Sequence, residues 1–150
     1  MSVNILTNLA INKGEITVFG GDQLRPNLHI QDYCDVVKLF INADHQKVNG
    51  EIFNVGYQNM SIKEIALLVK KVVEREFPEK GEIKIKYEKS DDLRSYHINI
   101  DKIKKLLNFS PKNDVEFAIK ELCQCFKKGI FRNSLEDDIY FNVKRLKRLK

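Results

Sequence analysis

In the stretch "ITVFGGDQLRPNLHIQD", residues 16–32, Arg25 lies between a Gly-Gly turn and a proline, after an apolar strand-like run and before a helix-like one. A guanidinium placed there stays out of any core. Its planar fork suits phosphate oxygens better than an ammonium would, and an ion pair with Asp22 or Asp32 is the plainer use. A second polar cluster is "KSDDLRSY", residues 89–96, where Lys89 and Arg94 flank Asp91 and Asp92 and Tyr96 follows. Turn formation and surface charge account for it equally well. The thiols of Cys34, Cys123 and Cys125 are odd in number, and the Cys-Gln-Cys spacing fits neither zinc nor a Cys-x-x-Cys redox pair. They read as buried reduced thiols, with no metal site.

These residues need elements to hold them. Val3, Leu6, Leu9 and Ala10 have helical spacing up to a stop at Gly14, and "EITVFGG" reads as a strand ended by glycines. A helix follows "NLHI", with Asp32 as its cap and Val36, Val37, Phe40 and Ile41 on one stripe. "IFNV", residues 52–55, reads as a buried strand, and Ser61 with Glu64 forms a capping box for a helix over 62–77. "EIKIKYEK" alternates as a half-exposed strand, and "SYHINI" as a second short one. Asp101 opens a short helix, and Asn113 or Asp114 opens a longer one that Gly129 closes. The fold class is therefore α/β or α+β, with helices outweighing scattered strands. Strands 15–19 and 52–55 are so short and separate that their sheet partners are expected outside this chain.

Composition narrows the classes. The chain has 150 residues, 43% hydrophobic and 31% charged, which suits one compact domain rather than a disordered chain. No apolar run approaches the roughly 20 residues of a membrane helix, and residues 1–20 lack a secretory pattern, so a cytoplasmic protein without a membrane partner is expected. Much of the net charge of +5 sits in "KRLKRLK", residues 144–150. Such a terminal run reads as a solvated end, which makes nucleic acid an unlikely partner.

Three phrases in order, "ITVFGGDQLRPNLHIQDYCDVV", "GEIFNVGYQNMSIKEIALLV" and "DDLRSYHINIDKIKKLLNFSP", resemble the C-terminal half of the extended short-chain dehydrogenase/reductases, a family of nucleotide-sugar epimerases and dehydratases. The resemblance runs from Val3 to Ile130. It implies the α+β substrate domain of such an enzyme over residues 1–130, with the N-terminal Rossmann half absent, and possible homo-oligomers; residues 131–150 then form a C-terminal extension with the basic tail. It also implies that Arg25 contacts the diphosphate of a sugar nucleotide, with Arg94 as a second clamp. Thr17 and Phe19 would lie along the base, Asp92 and Tyr96 near ribose and base, and Asn4 close to the ligand. His29 would fix its loop through hydrogen bonds. Lys89 stands where the family has arginine, a departure from its pattern.

The family's Gly-x-x-Gly-x-x-Gly turn, which brings backbone close to the NAD pyrophosphate at a helix N-terminus, does not occur in this sequence. Its Tyr-x-x-x-Lys pair, in which lysine lowers the tyrosine pKa for proton abstraction, occurs only as Tyr140 and Lys144. That match follows every substrate-domain phrase instead of preceding them and is set aside. The expectation is a nucleotide-sugar recognition part, inactive alone, whose NAD is held by a missing N-terminal half. The alternatives are a stand-alone phosphate-binding module and a small nucleic-acid-associated protein.

Overall fold

Apolar residues recurring every three or four positions turn four stretches into the helices that carry most of the core. In the computed structural model, which describes residues 2–92 and 94–149, the first is α1, Ser2–Lys13, ended by Gly14 at φ +66°. It leads into strand β1, Glu15–Phe19. Strand β2, Leu24–Asn27, precedes α2, Ile30–Asn42, and the single turn α3, His45–Val48. Strand β3, Gln58–Ser61, runs straight into α4, Ile62–Glu76. There the expected capping box is formed: the Glu64 amide donates to Ser61 Oγ at 3.1 Å and the Ser61 amide to Glu64 Oε2 at 2.7 Å. Strand β4, Lys84–Glu88, α5, Asp101–Leu107, α6, Val115–Lys127, and α7, Asn142–Arg148, complete the order.

The main core lies among α1, β1, α4 and α6. Leu6, Ala10, Ile16, Val18, Ile65, Val69, Ile119 and Cys123 are all buried in it. Burial pushes the Cys123 thiol up to about 11, as suits a thiol that only packs, whereas Cys34 is exposed and Cys125 half-buried, against the expectation of three buried thiols. A second, thinner cluster joins α2 to α5 through Val36, Ile103 and Phe109, with Phe40, Phe53 and Val55 packed on it. The mixed α/β class is as expected.

Five local expectations are corrected. Strand 15–19 has its partner within the chain: β1 pairs in parallel with β4 from Glu15↔Lys84 to Phe19↔Glu88. The second pair is antiparallel, β2 with β3, Leu24↔Ser61 to Asn27↔Gln58. Residues 52–55 and 95–100 form no strand. Phe53 and Val55 instead pack into the second cluster, with the Phe40 and Phe53 ring centres 5.3 Å apart. Asp32 does not cap α2. The cap is His29, whose side chain accepts from the Gln31 amide, while buried Asp32 accepts from the amides of Lys112 and Asn113 and from the Asn113 side chain. Asp32 thus ties α2 to the approach of α6. The apolar stripe of α2 divides: Val36 and Phe40 serve the second cluster, and Val37 and Ile41 are exposed.

Candidate functional site

Behind β1 the chain must reverse at once into β2, and two glycines allow it. Gly20 and Gly21 have φ of +74° and +130°, a region where side chains are rarely tolerated. Gln23 then folds back over the turn. The Gly21 amide donates to its Oε1 at 2.7 Å, and its Nε2 donates to the carbonyls of Phe19 at 3.3 Å and Asp92 at 2.9 Å. A Cβ on Gly20 would stand 2.4 Å from that Nε2. One buried carboxamide therefore fixes the turn and joins it to the loop after β4. Sequence reasoning missed Gln23; the available signal was a long amide set between a Gly-Gly turn and a strand.

Arg25 crosses the same junction. Its Nη1 donates to the carbonyls of Leu24 at 2.9 Å and Arg94 at 2.7 Å, and its guanidinium lies 5.3 Å from the Tyr96 ring centre. Its acidic neighbour is Asp92, 3.9 Å from Nη2, rather than the Asp22 or Asp32 considered as partners from sequence. Asp92 is gripped more closely by Arg94, which donates Nε and Nη2 to its two oxygens at 2.7 and 2.9 Å. That side-chain fork, helped by the Arg94 amide, lowers the Asp92 carboxyl to about 2 and raises the Arg94 guanidinium further above its ordinary range.

The segment after Arg94 runs beside β2. The Leu24 amide donates to Ser95 Oγ at 2.9 Å and the Tyr96 amide to the Leu24 carbonyl at 3.0 Å. The Asn59 side chain exchanges two hydrogen bonds with the backbone of Ile98. Arg25, Asp92, Arg94 and Tyr96 are thus brought together from positions some 70 apart in sequence. Phe19 stands exposed at the end of β1, two positions beyond half-buried Thr17. Lys89 is exposed in the loop after β4.

Asn4 is placed elsewhere. It lines a cleft of about 450 Å³ with Asn27, His29, Tyr57, Asp114 and Glu121, a lining that does not include Arg25. There His29 Nδ1 accepts from Gln31, so Nε2 carries the proton and donates to Glu121 Oε2 at 2.7 Å. This is the loop-fixing use expected of it. Tyr140 and Lys144 make separate contacts: the tyrosine ring meets Phe131 edge-on, and the lysine amine lies 4.6 Å from the Phe141 ring centre.

Residues 2–122 match the family described as GDP-mannose 4,6 dehydratase. No curated protein matches by sequence. Among solved structures, ADP-L-glycero-D-manno-heptose-6-epimerase from Helicobacter pylori is similar at a TM-score of 0.67 and 25% identity, over 83% of this chain and 37% of that one. The dTDP-glucose 4,6-dehydratase from Bacillus anthracis, solved in complex with NAD, gives 0.65 and 21%, over 85% and 39%. L-threonine dehydrogenase from Phytophthora infestans gives 0.68 and 14%, over 83% and 40%. At 14 and 21% identity the likeness is one of fold alone. The chain spans 37 to 40% of the length of these three proteins.

Proposed function

We propose, because this chain belongs to the GDP-mannose 4,6-dehydratase family of extended short-chain dehydrogenase/reductases and corresponds to its C-terminal part, that it holds the nucleotide-diphosphate end of a sugar nucleotide for epimerisation or dehydration. The observation that carries this reading is the Arg25 bridge to the Arg94 carbonyl at 2.7 Å. It sets a guanidinium, an aromatic ring and a second arginine around one exposed junction. With Nη1 fixed by two carbonyls and Nη2 3.9 Å from the Asp92 carboxylate, Nε remains for a phosphate oxygen, and Nη2 would have to exchange Asp92 for a second one. Phe19 and Tyr96 are exposed nearby as apolar walls for a base. Holding the non-reacting end positions the sugar for chemistry supplied elsewhere.

NAD does not fit the residues of this chain. In the family's dinucleotide-binding arrangement the NAD pyrophosphate sits on a glycine turn that opens a helix, and none of the seven glycines stands at a helix N-terminus. The N-termini of α2, α3, α4 and α6 are occupied by the side chains of His29, Asp44, Ser61 and Asp114. No step through NAD is assigned to this chain. The cofactor and the proton-abstracting tyrosine would come from the family's NAD-binding part, packed on the exposed side of α2.

The second reading is a stand-alone nucleotide-binding module, favoured by the pairing of β1 with β4 inside the chain and by the main core that buries Ile16 and Val18 of β1. Calorimetric titration of the chain, alone and with an NAD-binding half of the family, tests both. Binding of UDP-, GDP- or dTDP-sugars in preference to L-threonine is expected. Absence of nucleotide-sugar binding in either form would overturn the assignment.

A further inference from the structure

Past α6 and outside the residues matched to the family, the chain arranges its cations in one particular way. α7 contains Lys144, Arg145, Lys147 and Arg148 and no acidic residue. Asp138, in the turn before it, accepts Arg145 Nη1 at 3.2 Å on one oxygen and Arg148 Nη1 at 3.1 Å on the other. At 100° per residue those two arginines share one side of the helix, while Val143, Leu146 and Leu149 fall on another. The helix is held to its neighbouring turn by its arginines and carries its apolar side outward. Val143, Leu146 and Leu149 are 67, 63 and 73% exposed. An ordinary amphipathic helix does the reverse, burying the apolar stripe and wetting the charges.

An outward aliphatic stripe flanked by Lys147 on one edge and Arg145 on the other, on a helix whose charged residues are all cations, matches one kind of surface. Aliphatic side chains enter the acyl boundary of a bilayer while ammonium groups meet anionic headgroups. A single-stranded nucleic acid would find aliphatics where stacking aromatics are needed. We propose that α7 lies on bilayers of anionic lipid and holds the protein there reversibly. No described helix is long and apolar enough to cross a membrane. A helix lying on the surface needs no such span. The inference stands on geometry outside residues 2–122 and does not depend on the nucleotide-sugar reading.

The test is flotation of the full chain with phosphatidylcholine vesicles and with vesicles of phosphatidylcholine mixed with phosphatidylglycerol. Flotation is expected with the anionic vesicles only, fading as salt is raised. Lys147→Gln should lower partition about fivefold, the worth of one cation near the surface, and Lys144→Gln, on the opposite side of the helix, should lower it less. Leu146→Ser with Leu149→Ser should abolish it, and an unchanged melt would show that these exposed changes leave the fold intact. Failure of the wild-type chain to float, or flotation kept by the serine variant, overturns the proposal. The latter would move binding to the exposed side of α2. Salt-sensitive capture of single-stranded DNA without flotation would make nucleic acid the partner instead.

Discussion

Arg25 is fixed through one nitrogen, and that separates its two duties at the residue scale. Lysine could reach one of the carbonyls of Leu24 and Arg94 but not hold a plane against Tyr96. Arg25→Lys is expected to leave the fold standing and to weaken nucleotide-sugar binding by about 1.5–3 kcal/mol, the loss of one charge-assisted contact. Calorimetry on the joined protein measures it, and an unchanged dissociation constant would return Arg25 to a purely structural role. Asp92 gives a pH prediction. Its pKa is about 2 when folded against an ordinary 3.8, so the folded value is the lower one. The stability contributed by the Asp92–Arg94 fork is fully present above pH 3.8 and is lost as pH falls through about 2. An NMR titration of the Asp92 carboxyl carbon should therefore have its midpoint near 2; a midpoint near 3.8 would mean the fork does not form in solution.

At the scale of elements, Gly20 controls the passage from β1 to β2. Alanine there would meet the Gln23 carboxamide and adopt a φ of +74°, so Gly20→Ala should destabilise the chain by about 1–2 kcal/mol in a denaturant melt. Gln23→Ala in the same background relieves the clash but gives up the three hydrogen bonds that fix the turn and leaves the backbone strain, so stability should not recover; full recovery would show that neither the bonds nor φ contributes. What was legible in the sequence was local. The capping box of Ser61 and Glu64 and the Gly14 stop are short-range patterns whose physics is complete within a turn or two. The pairing of β1 with β4 was not legible, because parallel strands need a long crossover and nothing near Glu15 points to Lys84. "IFNV" has the side chains of a strand, yet a strand needs an edge to pair with, and Phe53 and Val55 pack beneath α2 instead. Asp32 has cap chemistry, but His29 takes the cap and the carboxylate binds a loop 80 residues away. Of the candidate site, the Arg25 and Arg94 phrases were visible; that Gln23 ties them together was not, since its bond to Asp92 spans 69 positions.

Taken as a whole molecule, the chain has a dense centre and a weak flank. The main core draws buried residues from α1, β1, α4 and α6, whereas only Val36, Ile103 and Phe109 are buried in the cluster that holds α2 to α5. Ile30, Val37 and Ile41 then lie exposed along α2, with Ile52 at 83% exposed in the segment that forms no strand. Contiguous apolar surface of this kind tends to be covered by a partner or to associate with itself. Hydrogen exchange should therefore be faster in α2 and α5 than in α4 and α6, because local opening there exposes fewer buried contacts. The isolated chain is expected to bind a hydrophobic dye or to self-associate, and Val37→Ser with Ile41→Ser should reduce both without lowering the melt, since these side chains lie outside the buried clusters. Co-expression with an NAD-binding half should suppress dye binding in the same way, by covering α2 rather than changing it. A monodisperse monomer with one cooperative melt, uniform protection and no dye binding would show that the flank needs no cover. The stand-alone module would then be the better account of how this chain works.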